Sequence, residues 1–410
     1  MNMQSTESPS LAPIETDRSA GQKKLHLALF ISGLAVGGVE RTMLALAHAM
    51  AQRGHRVDLL VTKGQGFFED AVSPLIRLVD LEPRWMRVPL IGGWSKRKRS
   101  LASAPAVASY LRSNRPDVLM AASHYVNLGA IWGRRLAATG TPLVIRQCTH
   151  LSHALTNTNW PTGRRPFLGW MVRRFFPEAD AIVAVSNGVA DDLAVVGSLP
   201  RQSIRTIYNP VVTPDLQARA SAAVNHPWFA PGAPPVILGV GRLAAQKDFP
   251  TLIRAFAKIH ALRPVRLMIL GEGKKRRELE QLAESLGVRQ DLALPGFEDN
   301  PFAYMAHASV FALSSLYEGL PGVLIQAMAC GCPVVSTNCP SGPMEILQNG
   351  RYGPLVPVGD DAELAAAIQT QLDAPREPER LKARASEFSM DRAVDQHLEV
   401  LFHACAGHRA

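Results

Sequence analysis

Short apolar segments rich in β-branched residues alternate along the chain with amphipathic helical segments. This alternation is typical of parallel β-sheets covered by helices on both faces. Strands are predicted in the first half at 25–31, 56–61, 76–80, 118–121, 143–146, 181–185 and 204–208, and in the second half at 236–240, 266–270, 291–294, 310–313, 333–336 and 354–357. Helices are predicted between them, among others at 39–53, 104–113, 129–138 and 188–196, with a last one at 390–405. The sequence therefore predicts two successive α/β units.

A proline-rich segment separates the two units. Residues 211–235 contain Pro214, Pro227, Pro231, Pro234 and Pro235, a composition typical of a linker. The predicted organisation is a disordered polar tail at 1–23, a Rossmann-like domain at 24–212, a linker at 213–235, a second Rossmann-like domain at 236–387 and a final helix at 388–405. Two such sheets joined by a hinge form a cleft, and ligands of these sheets bind at the carboxyl ends of the strands.

The composition fits a globular protein with large cores. Of the 410 residues, 47% are hydrophobic and 19% are charged, and no apolar run reaches the ~18 residues that span a bilayer. The first 22 residues lack the apolar centre of a signal peptide, so we expect a cytosolic protein. Five cysteines, an odd number, argue against a disulfide framework. Cys330, Cys332 and Cys339 do not have a usual zinc spacing, and we expect structural thiols.

Positive charge is concentrated in the first half. Residues 1–215 contain 25 Lys and Arg against 15 Asp and Glu, whereas residues 216–410 contain 19 against 20. Between Pro83 and Pro177, fifteen basic residues accompany a single acid, Asp117. A plain solvated basic face would explain this pattern. The alternative is an anionic partner for the first half, either nucleic acid, a phosphorylated substrate or an anionic membrane surface.

A glycine-rich turn follows the first predicted strand and opens a helix. It contains Gly33, Gly37 and Gly38, followed by Glu40 and Arg41. Glycines at this place let the backbone approach a ligand, and the free N–H groups of the helix start favour phosphate. The spacing is not G-x-G-x-x-G, and no acid ends the second strand to hold a ribose, which argues against a dinucleotide cofactor. A plain tight turn is the competing interpretation.

The first strand of the second half is followed by two cations. Gly241 and Arg242 end the strand, and Lys247 comes five residues after Arg242. An Arg fork and a Lys point charge at a strand end that faces a cleft suit a pyrophosphate.

A third constellation begins at Ser314 and runs through a Glu-Gly-Leu-Pro turn. Pro321 is predicted in the first turn of a helix that Gly331 ends. Glu318 before this helix and Gln326 near its second turn can both point into the cleft, where a carboxylate and an amide can hold sugar hydroxyls. A helix-start acid favoured by the dipole is the alternative for Glu318.

This segment resembles the E-x7-E region of family-4 retaining glycosyltransferases of the GT-B fold. The resemblance extends from Lys24 to about Cys405. Besides the segment at residues 314–335, seven further motifs occur in the same order as in the family, at residues 37–41, 185–189, 208–211, 241–247, 271–273, 295–297 and 340–345. The resemblance implies two Rossmann-like parallel-sheet domains that face a central cleft, with the C-terminal helix crossing back to the first domain.

The resemblance also implies roles for individual residues. Arg242 and Lys247 are similar to the pair that neutralises the departing nucleotide diphosphate, and Glu318 to the acid that contacts the donor sugar. Gln326 stands where the family has a second acid on the ribose, so we expect donor affinity or preference to change. His124 stands where the family often has a histidine near the sugar; a loop histidine without that role is the alternative. The other expected donor-binding residues are Gly37, Gly38, Gly241, Gly296, Phe297, Gly319, Leu320 and Pro321.

By the same resemblance, we expect retention of configuration, no metal and no other cofactor, with the leaving phosphate assisting deprotonation of the acceptor. The first domain is expected to take a glycan or lipid-linked glycan acceptor at the cytoplasmic face of the inner membrane. Aromatic and basic residues at 84–87, 94–99 and 173–176 suit an anionic lipid surface, and no recognised nucleic-acid-binding motif is present.

The predicted function is therefore transfer of a hexosyl or N-acetylhexosaminyl group, from a UDP-linked donor in preference to others, in bacterial surface-polysaccharide biosynthesis. Two alternatives remain open. One is a sugar-nucleotide epimerase on the same fold, which would need further cleft acids. The other is a weakly active or inactive nucleotide- or glycan-binding protein, suggested by Gln326.

Overall fold

The computed structural model describes residues 23–34, 37–62, 72–82, 96–156 and 165–407. The predicted tail, apart from Lys23, and the aromatic and basic residues at 84–87 and 94–95 lie outside the described residues. No helix in these ranges combines the length and the apolar character that a membrane span requires.

The first sheet contains seven parallel strands in the order β3-β2-β1-β4-β5-β6-β7. Its strands are β1 (His26–Ile31), β2 (Arg56–Val61), β3 (Ile76–Asp80), β4 (Val118–Ala122), β5 (Leu143–Gln147), β6 (Ala181–Ala184) and β7 (Ile204–Thr206). Its helices are α1 (Gly38–Gln52), α2 (Lys96–Ala102), α3 (Ala104–Asn114), α4 (His124–Ala137), α5 (Leu151–Thr156), α6 (Arg165–Phe175) and α7 (Asn187–Gly197). Strands β1, β4 and β5 are almost wholly buried because helices cover both faces.

The second sheet contains six parallel strands in the order β10-β9-β8-β11-β12-β13. Its strands are β8 (Val236–Val240), β9 (Arg266–Leu270), β10 (Leu292–Gly296), β11 (Val310–Leu313), β12 (Val334–Thr337) and β13 (Leu355–Val356). The helices that follow β7 are α8 (Leu216–Ala220), α9 (Phe249–His260), α10 (Arg276–Ser285), α11 (Pro301–His307), α12 (Gly322–Ala329), α13 (Pro343–Ile346), α14 (Asp361–Asp373), α15 (Pro378–Ser386) and α16 (Met390–Gly407). The predicted fold class, two Rossmann-like domains, is confirmed.

All thirteen predicted strands are present, with ends that differ by at most two residues. The start of α4 was predicted wrongly, because the helix begins at His124 and not at Gly129. Gly129 and Gly133 lie inside the helix, where a Cβ would come within 2.2 Å of the Ser100 carbonyl oxygen and within 2.5 Å of Val107 Cγ1. These glycines allow α4 to pack closely on α2 and α3, a tertiary reason that helix propensity does not reveal.

The predicted linker contains a helix that packs on the second domain. Helix α8 contacts α11, and the Arg219 guanidinium lies 4.7 Å from the centre of the Phe302 ring. The side-chain amide of Asn300 donates to the Arg219 carbonyl oxygen over 2.8 Å. This segment is therefore fixed by contacts with the loop after β10, and the boundaries at 213 and 235 stay a prediction.

The chain passes between the two domains twice, and the two crossings are hydrogen-bonded to each other. The amides of Val211 and Val212 donate to the Phe388 carbonyl oxygen over 3.0 and 3.1 Å, and the Met390 amide donates to Val212 over 3.1 Å. Helix α16 then packs on α1, β4 and β5 through Val394, Leu398 and Leu401, which are buried. The predicted return of the C-terminal helix to the first domain is confirmed.

A buried polar cluster fixes α16 to the first sheet. Arg146 on β5 is 1% exposed, and its guanidinium contacts His397 Nε2 at 3.3 Å and Asn209 Oδ1 at 2.5 Å. His397 Nδ1 lies 2.7 Å from the Ala393 carbonyl oxygen, so Nδ1 carries the hydrogen and Nε2 accepts from Arg146. Burial, together with the neighbouring Arg146 charge, lowers the pKa of His397 to about 3. The folded protein therefore holds this histidine neutral.

This pKa predicts a specific loss of stability in acid. The folded pKa lies below the unfolded value of about 6.5, so the unfolded chain binds the proton first and stability falls as the pH drops below about 6.5. Between about pH 7 and about pH 5, His397 should account for about 2 kcal/mol of the lost free energy of unfolding. Urea titrations of the wild type and of His397→Gln at both pH values test this. Equal pH dependence in the two proteins would contradict it.

Candidate functional site

The carboxyl edges of the two sheets meet along a seam of close backbone contacts. A Cβ on Gly319, after β11, would lie 2.3 Å from the Cys148 carbonyl oxygen, after β5. A Cβ on Gly188, at the start of α7, would lie 2.5 Å from Ser341 Cβ, after β12. The loops that follow the strands therefore face one another across the cleft, where ligands of such sheets bind.

The two glycines before and at the start of α1 have different surroundings. Gly37 precedes α1 in an extended conformation, and a Cβ there would lie 2.2 Å from Glu40 Oε2. Glu40 is buried and accepts a hydrogen bond from the Ser32 hydroxyl over 3.1 Å, so it supports the turn from inside. A Cβ on Gly38 would meet no described atom within 4 Å. Among the described residues, therefore, Gly38 is the member of the pair that no neighbouring atom crowds.

Arg242 and Lys247 follow β8 at the cleft edge of the second sheet. Arg242 is exposed, and its guanidinium makes no hydrogen bond or ion pair with the described residues. Lys247 is mostly buried, and its side chain packs against Gly241, where a Cβ would come within 2.9 Å of Lys247 Cε. The two predicted cations therefore differ, since Arg242 is available to an anion and Lys247 is already paired.

The partner of Lys247 is Glu318, in the loop formed by residues 317–321, which we call the Glu318 loop. Lys247 Nζ donates to Glu318 Oε1 over 2.8 Å, and the Ser315 hydroxyl donates to the same oxygen over 2.7 Å. The side chains of Lys247 and Glu318 are 15% and 11% exposed. Glu318 Oε2 lies 3.5 Å from Gln246 Nε2, a long contact. The structure thus brings together two residues whose association the sequence spacing did not reveal.

The segment after the Glu318 loop differs in detail from the prediction. Pro321 lies immediately before α12 and not in its first turn, and Leu324 N–H donates to its carbonyl oxygen over 3.0 Å. Leu320 and Pro321 are both buried. Gln326 is half-buried in the second turn of α12, and its side chain makes no hydrogen bond with described residues.

The end of β10 presents an aromatic ring. Gly296 has a φ of 105°, and its carbonyl oxygen accepts from the Gly271 amide over 2.6 Å. This left-handed conformation favours glycine and turns the chain, so that Phe297 follows with half of its surface exposed. An exposed ring at a strand end is a suitable surface for a planar ligand group.

Three histidines follow strands of the first sheet. His124 opens α4, directly after Ser123, and its ring lies 4.3 Å from that of Tyr125. His153 stacks on Tyr317 of the other domain, with ring centres 5.0 Å apart and an angle of 11° between the planes. This stack was not predicted, although both residues follow predicted strands.

His150 lies beside the same stack and close to the carboxylate of Asp192. Its Nδ1 lies 3.2 Å from Asp192 Oδ1, and its ring lies 5.0 Å from the His153 ring. Burial lowers the pKa of His150, and the charge of Asp192 opposes that shift only in part. In the described ranges, no group of three or more His, Cys, Asp or Glu side chains is arranged to hold a metal ion.

The clustered cysteines are structural thiols, as predicted. Cys330, Cys332 and Cys339 are free and buried, and burial raises the pKa of each to about 12. Thiols of this kind stay protonated at neutral pH and are poor nucleophiles.

Two family models match this chain. The model described as "Glycosyltransferase Family 4" matches residues 36–214, and the model described as "Glycosyl transferases group 1" matches residues 225–388. Each therefore covers most of one of the two sheets.

Two curated relatives of similar length are named as glycosyltransferases. A 4-alpha-N-acetylgalactosaminyltransferase from Campylobacter jejuni, named for its diphospho-undecaprenol-linked acceptor, is 28% identical over 89% of this chain and 96% of its own length. The lipopolysaccharide core biosynthesis glycosyltransferase LpsE from Rhizobium meliloti is 28% identical over 89% of this chain and 96% of its own length.

Solved structures share the fold. HepE from Anabaena in complex with UDP superposes with a TM-score of 0.73, at 20% identity over 92% of this chain and 99% of that chain. The lipopolysaccharide outer core galactosyltransferase WaaB superposes with a TM-score of 0.68, at 19% identity over 94% and 99%.

Proposed function

The chain belongs to the family-4 glycosyltransferases, and we propose that it moves a hexosyl or N-acetylhexosaminyl group from a nucleotide-diphosphate sugar, UDP before other nucleotides, to a glycan or lipid-linked glycan. Transfer proceeds with retention of configuration. The observation that carries the donor assignment is the exposed Arg242, without a partner among the described residues, beside the Lys247–Glu318 ion pair at the carboxyl edge of the second sheet.

The donor diphosphate binds at Arg242 in this proposal. An unpaired guanidinium can take two phosphate oxygens at once, and Lys247 adds a second positive charge nearby. Phe297 provides a surface for the base, and Gly38 leaves room for phosphate or sugar on the opposite side of the cleft. Gln326 contributes a neutral hydrogen bond to the ribose.

Chemistry in this site depends on charge that develops on the leaving group. The bond between the anomeric carbon and the diphosphate oxygen breaks, the acceptor oxygen bonds to the same face, and the leaving phosphate takes the acceptor proton. Arg242 and Lys247 stabilise the growing negative charge, and Glu318, fixed by Lys247 and Ser315, orients the sugar through its hydroxyls. Positive charge at the diphosphate comes mainly from Arg242, with Lys247 shared between Glu318 and the phosphate, and we propose transfer without a metal. His124 contacts the sugar from the first domain.

The acceptor is a growing surface glycan on a lipid carrier, held by the first domain. The name of the Campylobacter relative, which includes a diphospho-undecaprenol acceptor, supports this class of substrate. The protein then works as a peripheral protein at the cytoplasmic face of the inner membrane, and its basic half faces anionic lipid and not nucleic acid.

Helix α6 carries the membrane contact in this proposal. Phe167 and Trp170 are 55% and 52% exposed and stack on each other, with ring centres 5.7 Å apart. Arg173 and Arg174 are exposed one turn further, whereas Leu168 and Met171 face the core. Aromatic rings beside cations on one helix face are typical of elements that lie in an anionic lipid interface.

The donor assignment predicts the effect of removing one cation. Calorimetric titration with UDP, GDP and ADP should detect one nucleoside diphosphate that binds tightly, and the matching sugar donor should be hydrolysed slowly without an acceptor. Arg242→Ala should weaken that affinity at least tenfold, about 1.4 kcal/mol, because an ionic fork to phosphate is lost. The matched control is Arg254→Ala on α9, which should bind normally. Equal affinity of the Arg242 variant and the wild type would refute the site.

A substitution of Gln326 distinguishes two hypotheses. In one, Gln326 is a ribose contact that adjusts donor binding; in the other, the wild-type protein is inactive. If Gln326 is a ribose contact, Gln326→Glu should keep turnover within about tenfold, about 1.4 kcal/mol. Initial rates of donor consumption at saturating donor measure this. Turnover that appears only in the Glu variant would favour the alternative of an inactive wild type.

The membrane proposal predicts that substitutions in α6 weaken binding to anionic vesicles. Phe167→Ser with Trp170→Ser should reduce binding to phosphatidylglycerol-rich vesicles at least tenfold, because two aromatic anchors of about 1 kcal/mol or more each are removed. Vesicle co-sedimentation measures this, with Leu262→Ser, an exposed apolar residue of the second domain, as the control. Unchanged sedimentation of the α6 variant would contradict the proposal.

A further inference from the structure

A carboxylate of the second domain caps a helix of the first domain. Glu345, in α13, accepts from the backbone amides of Asn187 through Oε2 and of Gly188 through Oε1, each over 2.8 Å. These are the first two residues of α7, whose N–H groups have no partner within the helix. The third residue, Val189, donates to the Ser186 hydroxyl over 3.2 Å. The start of α7 is therefore satisfied jointly by both domains.

The same contact extends to the Glu318 loop. The hydroxyls of Ser186 and Ser341 lie 3.0 Å apart, and each reaches the Gly319 carbonyl oxygen, over 2.8 and 2.9 Å. One serine belongs to the first domain and the other to the second. The Gly319 carbonyl is therefore held from both sides of the cleft at once.

The loop that contains Ser341 is hydrogen-bonded along the Glu318 loop. The Glu318 amide donates to the Pro340 carbonyl oxygen over 2.8 Å, and the Ser341 amide donates to the Glu318 carbonyl oxygen over 3.0 Å. A shift of residues 340–345 away from α7 would consequently move the backbone of Glu318. The cap at α7 and the position of the Glu318 carboxylate are thus mechanically linked.

Glu345 is itself held by groups on both sides. Arg384, 5% exposed, donates to the Glu345 carbonyl oxygen over 2.7 Å and to that of Ile346 over 3.0 Å. Tyr208 of the interdomain crossing also contacts the carboxylate, and burial together with the charge of Glu345 raises its pKa to about 12. Tyr208 therefore stays protonated at neutral pH. Two backbone amides of the first domain thus donate to this single side chain, and Arg384 holds its backbone.

We propose that Glu345 is a positioning residue for glycosyl transfer. Its carboxylate keeps the Glu318 loop docked on the first domain, so that the sugar held by Glu318 faces the acceptor held by the first domain. This inference rests on the proposed function, because it takes Glu318 as the sugar contact. The proposed nucleotide contacts Arg242, Lys247, Phe297 and Gln326 all lie on the second domain, so nucleotide binding does not need the contact between Glu345 and α7.

Replacement of Glu345 should therefore separate binding from turnover. Glu345→Gln presents an amide NH2 to one of the two backbone N–H donors, so at most one of them stays bonded. We expect kcat for donor consumption to fall at least tenfold, with the nucleoside diphosphate affinity within about twofold of wild type. Hydrogen exchange of the peptide that contains Asn187 and Gly188 should become at least tenfold faster, since these amides lose their acceptor.

Two further variants make the test specific. Asp191→Asn, on the same helix, removes an exposed acid paired with Arg201 and should change neither kcat nor exchange. Gly188→Ala leaves Glu345 intact but places a Cβ against Ser341, and it should reproduce the loss of kcat at normal nucleotide affinity.

The outcomes that would overturn the proposal are distinct. Unchanged exchange in Glu345→Gln would show that the cap does not exist in solution, and faster exchange with normal kcat would show a contact without a positioning role. A wild-type protein that binds no nucleoside diphosphate and consumes no donor would refute the proposed function, and the positioning role with it. The exchange measurement would still report on the contact in that case.

Discussion

The structure depends above all on how closely two backbones approach at Gly319. Its carbonyl oxygen lies within hydrogen-bonding distance of Ser186 in one domain and Ser341 in the other, and its Cα leaves no room for a side chain beside Cys148. Because this glycine is adjacent to Glu318, the position of the candidate sugar-binding acid is set by both domains and not by the loop alone. Glycine and serine at the seam are required by space, since larger side chains would hold the two sheets apart.

The charged residues of the cleft have different electrostatic surroundings. Lys247 is shared between Glu318 and the proposed diphosphate, whereas Arg242 has no partner among the described residues and is left available for a ligand. A mostly buried ion pair fixes geometry because breaking it would leave an unpaired charge, while an exposed guanidinium is free to reorganise around an anion. The site thus combines one rigid carboxylate with one adaptable cation, an arrangement suited to orienting a sugar while neutralising a diphosphate.

At the hinge, the two interdomain crossings are connected by hydrogen bonds and by a buried polar cluster. Both interdomain crossings are hydrogen-bonded to each other, and α16 is tied to the first sheet by the buried cluster of Arg146, His397 and Asn209. Asn209 belongs to the outgoing crossing and His397 to the returning helix, so a single arginine side chain secures both. The outgoing crossing and the returning helix are therefore held together on this side of the cleft.

The sequence by itself determined the thirteen strands and the fold class, because buried parallel strands need unbroken apolar runs and the helices between them need a periodic apolar face. It also located the loops that follow the strands at the carboxyl edges of the sheets, since strand ends can be read from the same runs. Only the tertiary structure decided that α4 begins at His124, that Lys247 pairs with Glu318, and that Leu320 and Pro321 are buried. It alone brought Glu345 to α7, across a separation of 157 residues. The physical reason is that these features depend on distances between segments remote in the chain, which no local spacing or composition encodes.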